Sequence, residues 1–219
     1  MARVLAIPDL HIPFHAPNYL SFLKKVYKHY KCDTVVCLGD ELDFHGISFH
    51  DHDPDLPSPG DEMKLCFQEL KKLYKAFPDV SICTSNHTSR PFRKAFKSGL
   101  PSMFIRSYRE FMQAPVTWQW KARWVIDNVQ YIHGEGFSGK YGALRAAESH
   151  RQSTVMGHIH SFGGVTYSQS HHNRIFAMNA GCLIDPDHLA FAYGKNFPHK
   201  PTLGCGVVLD GKQAHFIPM

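Results

Sequence analysis

Three stretches of this chain share one pattern. "RVLAIPD", "DTVVCLGD" and "DVSICTSN" are apolar, β-prone runs that each close on Asp or Asn. Two segments of helical periodicity separate them. The first, "APNYLSFLKKVYKHYK", repeats apolar side chains at Tyr19, Phe22, Leu23, Val26, Tyr27 and Tyr30, with Pro17 suited to a first-turn position. The second, "DEMKLCFQELKKLYKAF", gathers Met63, Cys66, Phe67, Leu70, Leu73, Tyr74 and Phe77 on one face. This alternation predicts a βαβαβ opening with parallel strands, because strands joined through helices run the same way. In such a sheet the sites form beyond the carboxyl ends of the strands. The polar closings of the three runs are therefore the first place to look for chemistry.

The rest of the chain changes texture. Residues 88–115 read as two helical pieces broken around "GLPS". "RWVIDNVQYIHGEG" reads as a hairpin turning at Asp127–Asn128, and a short helix is expected near 140–149. Strand-like runs follow: "STVMGH", "GGVTYSQ", "RIFAMNAG" and "CGVVLDGKQAHFIPM", the last with an Asp-Gly turn. The expectation is an α/β first half and a β-rich second half around one core, as a single domain over residues 1–219.

Composition narrows the class. With 43% hydrophobic and 20% charged residues, the chain reads as ordinary and globular. No apolar run approaches the roughly 18 residues of a membrane span. The opening "MARVLAIPD" is too short an apolar run for a signal peptide, so the expected compartment is the cytoplasm. The six cysteines form no CxxC pair and several sit inside apolar runs, as small buried hydrophobes do in a reducing compartment. The net charge of +5 permits an anionic partner without demanding one. Sixteen histidines is the unusual figure. Histidine is the commonest metal ligand and the natural acid–base near neutral pH, so position must decide its meaning.

The strand ends supply positions. The first delivers Asp9 and His11, the second Asp40 and Asp43, the third Asn86 and His87. Later runs deliver His133, then His158 and His160. In a strand, residues two apart share a face, so Asp9 with His11, and His158 with His160, are expected to aim at common points. Taken singly, each is a strand-end turn with solvated polar groups. Together they are a mixed N and O ligand set that suits Mn, Fe, Zn or similar ions. There are enough ligands for two metals, and a metal pair about 3.5–4 Å apart can activate water and hold a phosphoryl group.

The ordered set "DLH", "GDELD", "SNHTSR", "IHGEG" and "GHIHS" resembles the calcineurin-like metallophosphoesterase superfamily, and "NAGC" at 179–182 resembles its usual Asn-Pro-Gly-Ser. The resemblance implies an α/β fold: a small, cap-less, four-layer α-β-β-α sandwich of two mixed sheets flanked by helices. It implies a first metal on Asp9, His11 and His160, and a second on Asn86, His133 and His158, with Asp40 bridging. The cofactor would be two divalent ions, manganese first, with Fe, Zn, Ni or Mg as alternatives. His87 would act as general acid toward the leaving oxygen or steady the phosphate, and Asp43 would orient its ring. The implied activity is phosphoester hydrolysis. Small members of the family often pair as a homodimer, and no segment here compels it.

Three departures from the family pattern shape expectations. Ser85 stands where the third motif has Gly, which would reshape the loop carrying Asn86 and His87. Thr88 stands where that motif ends in Glu or Asp, so an acidic hydrogen-bond partner is expected to be missing. Phe44 stands where the phosphoprotein-phosphatase branch has the Arg that grips a dianionic monoester. The last shifts the expectation to a phosphodiester, such as a nucleic acid strand or a nucleotide. A phosphomonoesterase, and a metal-bound binding module that has lost catalysis, are the alternatives.

Candidate substrate contacts lie on loops. Arg90 and Arg93 would meet a phosphate, or else solvate a helix face. The loop carrying His45, His50, Asp51, His52 and Asp53 would cover the site, with His45 as a substrate contact, or else is a polar surface loop. "SRPFRKAFKSG" is a basic stretch that nucleic acid could use, unless Phe92 and Phe96 form a core face.

Overall fold

The computed structural model describes residues 1–49, 53–188, 190–191, 196 and 198–219. Strand β1 (Arg3–Ile7), helix α1 (Tyr19–Tyr30), β2 (Thr34–Cys37), α2 (Pro59–Ala76) and β3 (Val80–Cys83) form the expected opening. The register is parallel, with Leu5 opposite Val35 and Cys37 opposite Ile82. Helix α1 starts two residues later than its proline suggested: Asn18 is the N-cap and Pro17 lies outside the helix. Ser58 caps α2 by accepting from the Asp61 N–H, with Pro59 in the first turn.

Residues 88–115 contain α3 (Arg90–Lys97) and α4 (Tyr108–Met112), with a 3-10 turn at Ser102–Phe104 between them. Strand β4 (Trp118–Lys121) was not anticipated. It pairs parallel to β3, and its four residues are too short for alternation to announce it. The hairpin β5 (Arg123–Ile126) and β6 (Val129–Ile132) turns at Asp127 and Asn128, both at positive φ as the tight turn requires. Helix α5 (Gly142–His150), β7 (Ser153–Met156), β8 (Gly163–Gln169), β9 (Arg174–Ala180), β10 (Gly204–Leu209) and β11 (Gln213–Pro218) complete the chain.

The strands form two mixed sheets, ordered β11-β10-β1-β2-β3-β4 and β5-β6-β7-β9-β8. The division is not into halves of the sequence. The C-terminal hairpin returns to β1, with Arg3 opposite Leu209. Nor is there one core. Strand alternation splits β1 between two layers. Leu5 and Ile7 face α1 and α2, in contact with Leu23, Leu70 and Leu73. Val4 and Ala6 face the second sheet, meeting Tyr131, Val155 and Met178. A third cluster seats Ala143, Ala146 and Ala147 of α5 on Met156 and Ala177. The layers therefore run helices, sheet, sheet, helix. Full burial of side chains such as Leu5, Ile7 and Leu70 contributes about 1.5–3 kcal/mol each. All six cysteines are buried and unpaired. Among the described residues, no helix is long and apolar enough to cross a membrane.

Candidate metal centre

The carboxyl ends of β1, β2, β3, β6 and β7 meet at one point, and the polar residues that follow each strand converge there. The convergence does not come from strand alternation. Strand β1 stops at Ile7 and β7 at Met156, so Asp9, His11, His158 and His160 all lie in the loops beyond. Backbone reversal aims them instead. His11, Asp40 and His158 occupy the left-handed region, with φ of 49°, 49° and 66°. Non-glycine residues seldom adopt it, and such strain gathers at functional sites. Gly39, at φ 96°, sits so close to the third-motif loop that an added Cβ would lie 2.6 Å from the Ser85 Cβ.

Three acid–imidazole groupings result: Asp9, His11 and His160; His11, Asp40 and His87; and Asp40, His133 and His158. Asp40 is the centre. Its Oδ2 lies 3.6 Å from His11 Nε2 and 3.3 Å from His133 Nε2. Its Oδ1 accepts a 3.0 Å bond from the His87 N–H, which fixes the carboxylate. His160 Nε2 stands 3.2 Å from His11 Nε2 and 3.4 Å from Asp9 Oδ1. On the other side, His133 Nε2 is 2.7 Å from Asn86 Oδ1 and 3.2 Å from His158 Nδ1. Both carboxylate oxygens of Asp9 accept from the His158 N–H at 3.0 Å.

These distances fit cations. Two ligand atoms about 2.1 Å from one ion, at angles near 90–110°, stand about 3.0–3.4 Å apart. The tautomers fit as well. His11 Nδ1 is 2.6 Å from Asp43 Oδ1, and His133 Nδ1 is 2.9 Å from the Leu38 carbonyl. With those nitrogens donating, Nε2 is the atom of each ring that faces the cluster, a lone pair on neutral His11 and one that His133 gains by giving up its proton, the arrangement metal-ligating histidines adopt. The charge is also poised for a cation. Burial would push the Asp40 carboxyl up, but His133, His87 and His11 hold it well below the usual carboxylate range. Burial would depress the His133 imidazolium, but Asp40 and Asp9 outweigh it and push it up to about 10.

The Asp43 carboxylate faces three imidazoles. Beyond His11, its Oδ1 is 3.0 Å from His87 Nδ1, and its Oδ2 is 3.6 Å from His45 Nδ1. His87 Nδ1 also lies 2.9 Å from the Asp43 carbonyl. The outer ring nitrogen, Nε2, is 3.1 Å from Arg90 Nη2. A neutral ring accepts that contact and an imidazolium must open it. Burial disfavours the imidazolium of His87, while Asp40 and Asp43 more than restore it.

Arg90 is not on a solvated helix face. It is 8% exposed, and its Nη1 donates to the carbonyls of Asp43 and Phe44. Arg93 is exposed, with a 3.3 Å bond to the Asn86 carbonyl. Of the loop expected to cover the site, His50, Asp51 and His52 lie outside the described residues. His45 stands beside Asp43. Asp53 turns back on its own loop, accepting from the Asp55 N–H. Phe96 does not form a core face. It is 81% exposed, while Phe92 packs on Tyr108 with ring centroids 4.6 Å apart.

Two sequence departures are repaired within the fold. Ser85 is not in the left-handed region, so no glycine is required there. Its hydroxyl accepts a 2.8 Å bond from the Asp40 N–H and so braces the central loop. The missing acid opposite Thr88 is present after all. Glu41, fully buried, accepts from the Thr88 hydroxyl and from Trp120 Nε1, both at 2.9 Å. Glu41 escaped the sequence reading because nothing in "GDELD" marks its third residue as inward-facing. Glu62 was missed too: its carboxylate accepts from the N–H groups of His45 and Gly46 at 3.0 Å, pinning the turn after Asp43. The third departure stands. Phe44 is buried against Phe111, 5.9 Å between centroids, and offers the site no charge.

No family model matches the chain, and no curated protein matches it. Solved structures do. A metallophosphoesterase from Sphaerobacter thermophilus is 16% identical, with a TM-score of 0.50 over 99% of this chain and 88% of that one. The nuclease MPE of Pseudomonas putida is 13% identical, with a TM-score of 0.41 over 99% and 86%. Yfce, a phosphoesterase from E. coli, is 14% identical, with a TM-score of 0.41 over 94% and 88%. At these identities the first likeness speaks for the fold.

Proposed function

We propose that this chain, whose fold is that of the calcineurin-like metallophosphoesterases, is a dinuclear metal-dependent phosphoesterase that hydrolyses a phosphodiester of a nucleic acid or nucleotide. One observation carries the reading: a single oxygen of Asp40 faces His11 on one side and His133 on the other. Asp9, His11 and His160 would hold one divalent ion and Asn86, His133 and His158 the other, with Asp40 between them. When bound, the ions supply Lewis acidity to the phosphoryl oxygens and turn a water into a nucleophile at neutral pH. Manganese is the first choice, with Fe, Zn, Ni or Mg compatible with the same ligands.

The chain's own residues do the rest. Asp43 and the Leu38 carbonyl keep the His11 and His133 rings turned with Nε2 forward. His87 stands half-buried at the edge of the cluster, where it can give a proton to a leaving oxygen. Asp43 orients that ring through Nδ1, so the transferable proton belongs on Nε2. Arg90 Nη2 is next to that nitrogen and would swing to a phosphoryl oxygen when substrate enters. The Phe44 side chain, turned inward, cannot grip a dianion, which favours a diester. The phosphomonoesterase reading draws on Arg90, whose guanidinium reaches the His87 ring from α3 instead.

The test sets bis-p-nitrophenyl phosphate beside p-nitrophenyl phosphate, on metal-stripped protein with and without manganese. Manganese-dependent preference for the diester is expected. Preference for the monoester would transfer the reading to Arg90-assisted phosphatase chemistry. No turnover of either, with metal bound, would leave a binding module.

A further inference from the structure

The surface of α3 and the turn after it carries a charge and an apolar pattern that the metal centre does not use. From Val80 to Arg109 the chain has no Asp or Glu, and it has Arg90, Arg93, Lys94, Lys97, Arg106 and Arg109. The remainder holds 18 of the 24 basic residues and all 19 acidic ones, so it is nearly neutral. The net charge of +5 thus resides in this one segment. Such concentration builds a local positive field rather than a diffuse one.

The cations are gathered. Arg93, Lys94 and Lys97 surround the half-buried Phe49 ring at 4.7, 4.6 and 4.3 Å from its centroid. The ring attracts each, by about 0.5–1 kcal/mol at an exposed site, yet the three repel one another. A polyanion lying across them would relieve that repulsion. Beside them two aromatic rings stand in water, Phe96 at 81% and Phe104 at 71% exposed. Large exposed apolar groups gathered in one place mark an interaction surface. Arg93 links the patch to the centre, through its bond to the carbonyl of the ligand-bearing Asn86.

We infer that the α3 surface, with Lys94 and Lys97 for the backbone and Phe96 and Phe104 for the bases, docks single-stranded nucleic acid and leads it toward the metal centre. This rests on the phosphodiesterase reading for its destination, but not for its binding. Cations that track a backbone, interleaved with exposed rings on which bases stack, are what single-strand binding without sequence preference requires. Charge complementarity selects this occupant over a second copy of the chain, whose own patch would be equally positive.

The experiment separates docking from hydrolysis. Fluorescence anisotropy follows binding of a labelled oligothymidylate of about 20 nucleotides, in chelator, so that the metal centre plays no part. Binding is expected, weakening steeply with salt. K94A/K97A should lower the salt slope of log K by about 1.4, at roughly 0.7 per phosphate contact. F96A/F104A should weaken binding by about tenfold or more with the slope retained. Both double variants alter exposed or half-exposed side chains and should hydrolyse bis-p-nitrophenyl phosphate as the parent does. Oligonucleotide binding that neither variant changes overturns the inference. So does absent oligonucleotide binding, whether phosphatidylcholine–phosphatidylserine vesicles bind instead or F96A/F104A abolishes a dimer in sedimentation. Binding that both variants impair, in a protein that hydrolyses no phosphoester, leaves the docking surface standing and removes the proposed reaction.

Discussion

Glu41 and Thr88 are hydrogen-bonded at 2.9 Å, the carboxylate from the end of β2 receiving the hydroxyl from the loop after β3. The family pattern has an acid at position 88 itself. Here the buried acid beside this loop is Glu41, brought from the loop after β2. Burial raises the Glu41 carboxyl, and Trp120 and Thr88 partly restore it. Thr88→Val should cost about 1–3 kcal/mol in chemical denaturation, because the buried Glu41 carboxylate then loses its hydroxyl donor. Thr88→Glu restores the family residue yet should be worse, since it sets two carboxyls together in the interior. Combining it with Glu41→Thr should recover most of that loss. Equal stability of Thr88→Glu and the parent would mean that the interior beside Glu41 tolerates a second carboxyl.

Ser85 allows a second test of the same kind. Its hydroxyl is the acceptor for the Asp40 N–H, a buried donor. Ser85→Gly and Ser85→Ala should both lower stability, by about 1–3 kcal/mol for the orphaned donor. Ser85→Gly adds backbone freedom to the unfolded chain and should be the less stable of the two. Manganese affinity, measured by calorimetry, should fall in both, because the Asp40 loop loses its brace.

Asp40→Asn addresses the bridge. One oxygen faces both imidazole groups, so its replacement should weaken both metals together. Metal analysis after gel filtration should show occupancy falling from near two per chain toward none. Retention of one full equivalent would mean that Asp40 serves a single ion.

Glu62 gives the pH dependence. Its carboxylate holds the turn after Asp43, and burial raises its pKa while the His45 and Gly46 N–H groups oppose that. An acid raised in the folded state favours folding when protonated. Its contribution is therefore complete at low pH and declines as pH rises from the ordinary glutamate value of 4.5 through the raised one. Glu62→Gln should remove this decline, so the stability difference between variant and parent should drift in the variant's favour across that window. A difference independent of pH would mean that Glu62 titrates as it does unfolded.

Much of this was legible because strand ends are tied to apolar runs. The runs before Asp9, Asp40, Asn86 and His158 announced β1, β2, β3 and β7, and the topology then brought their ends together. What sequence could not show is pairing across long separations. Glu41 and Thr88 are 47 residues apart, and no local pattern couples them. Nor does periodicity reveal the left-handed turns that aim His11 and His158, because strand alternation promises the same outcome by another route. The error at Phe96 has a plainer cause. Helix α3 has eight residues, and Phe92 alone turns toward Tyr108 and Phe111. One turn further along the same face, Phe96 reaches past those rings and is 81% exposed.

His87 touches Asp40 through its N–H, and its two ring nitrogens are met by Asp43 and Arg90. His87→Ala should reduce hydrolysis of a diester with an alkoxide leaving group by about 10²–10⁴-fold while metal content stays near two per chain. A nitrophenolate leaves with little help from an acid, so bis-p-nitrophenyl phosphate hydrolysis should suffer less. Arg90→Lys should behave differently. It keeps a charge but loses the fork that spans the Asp43 and Phe44 carbonyls and the His87 ring, so KM should rise more than kcat falls. If His87→Ala leaves both substrates unaffected, proton delivery belongs to another group. If it strips metal as well, His87 is a ligand, and its grouping with His11 and Asp40 is a third coordination set rather than an acid beside one.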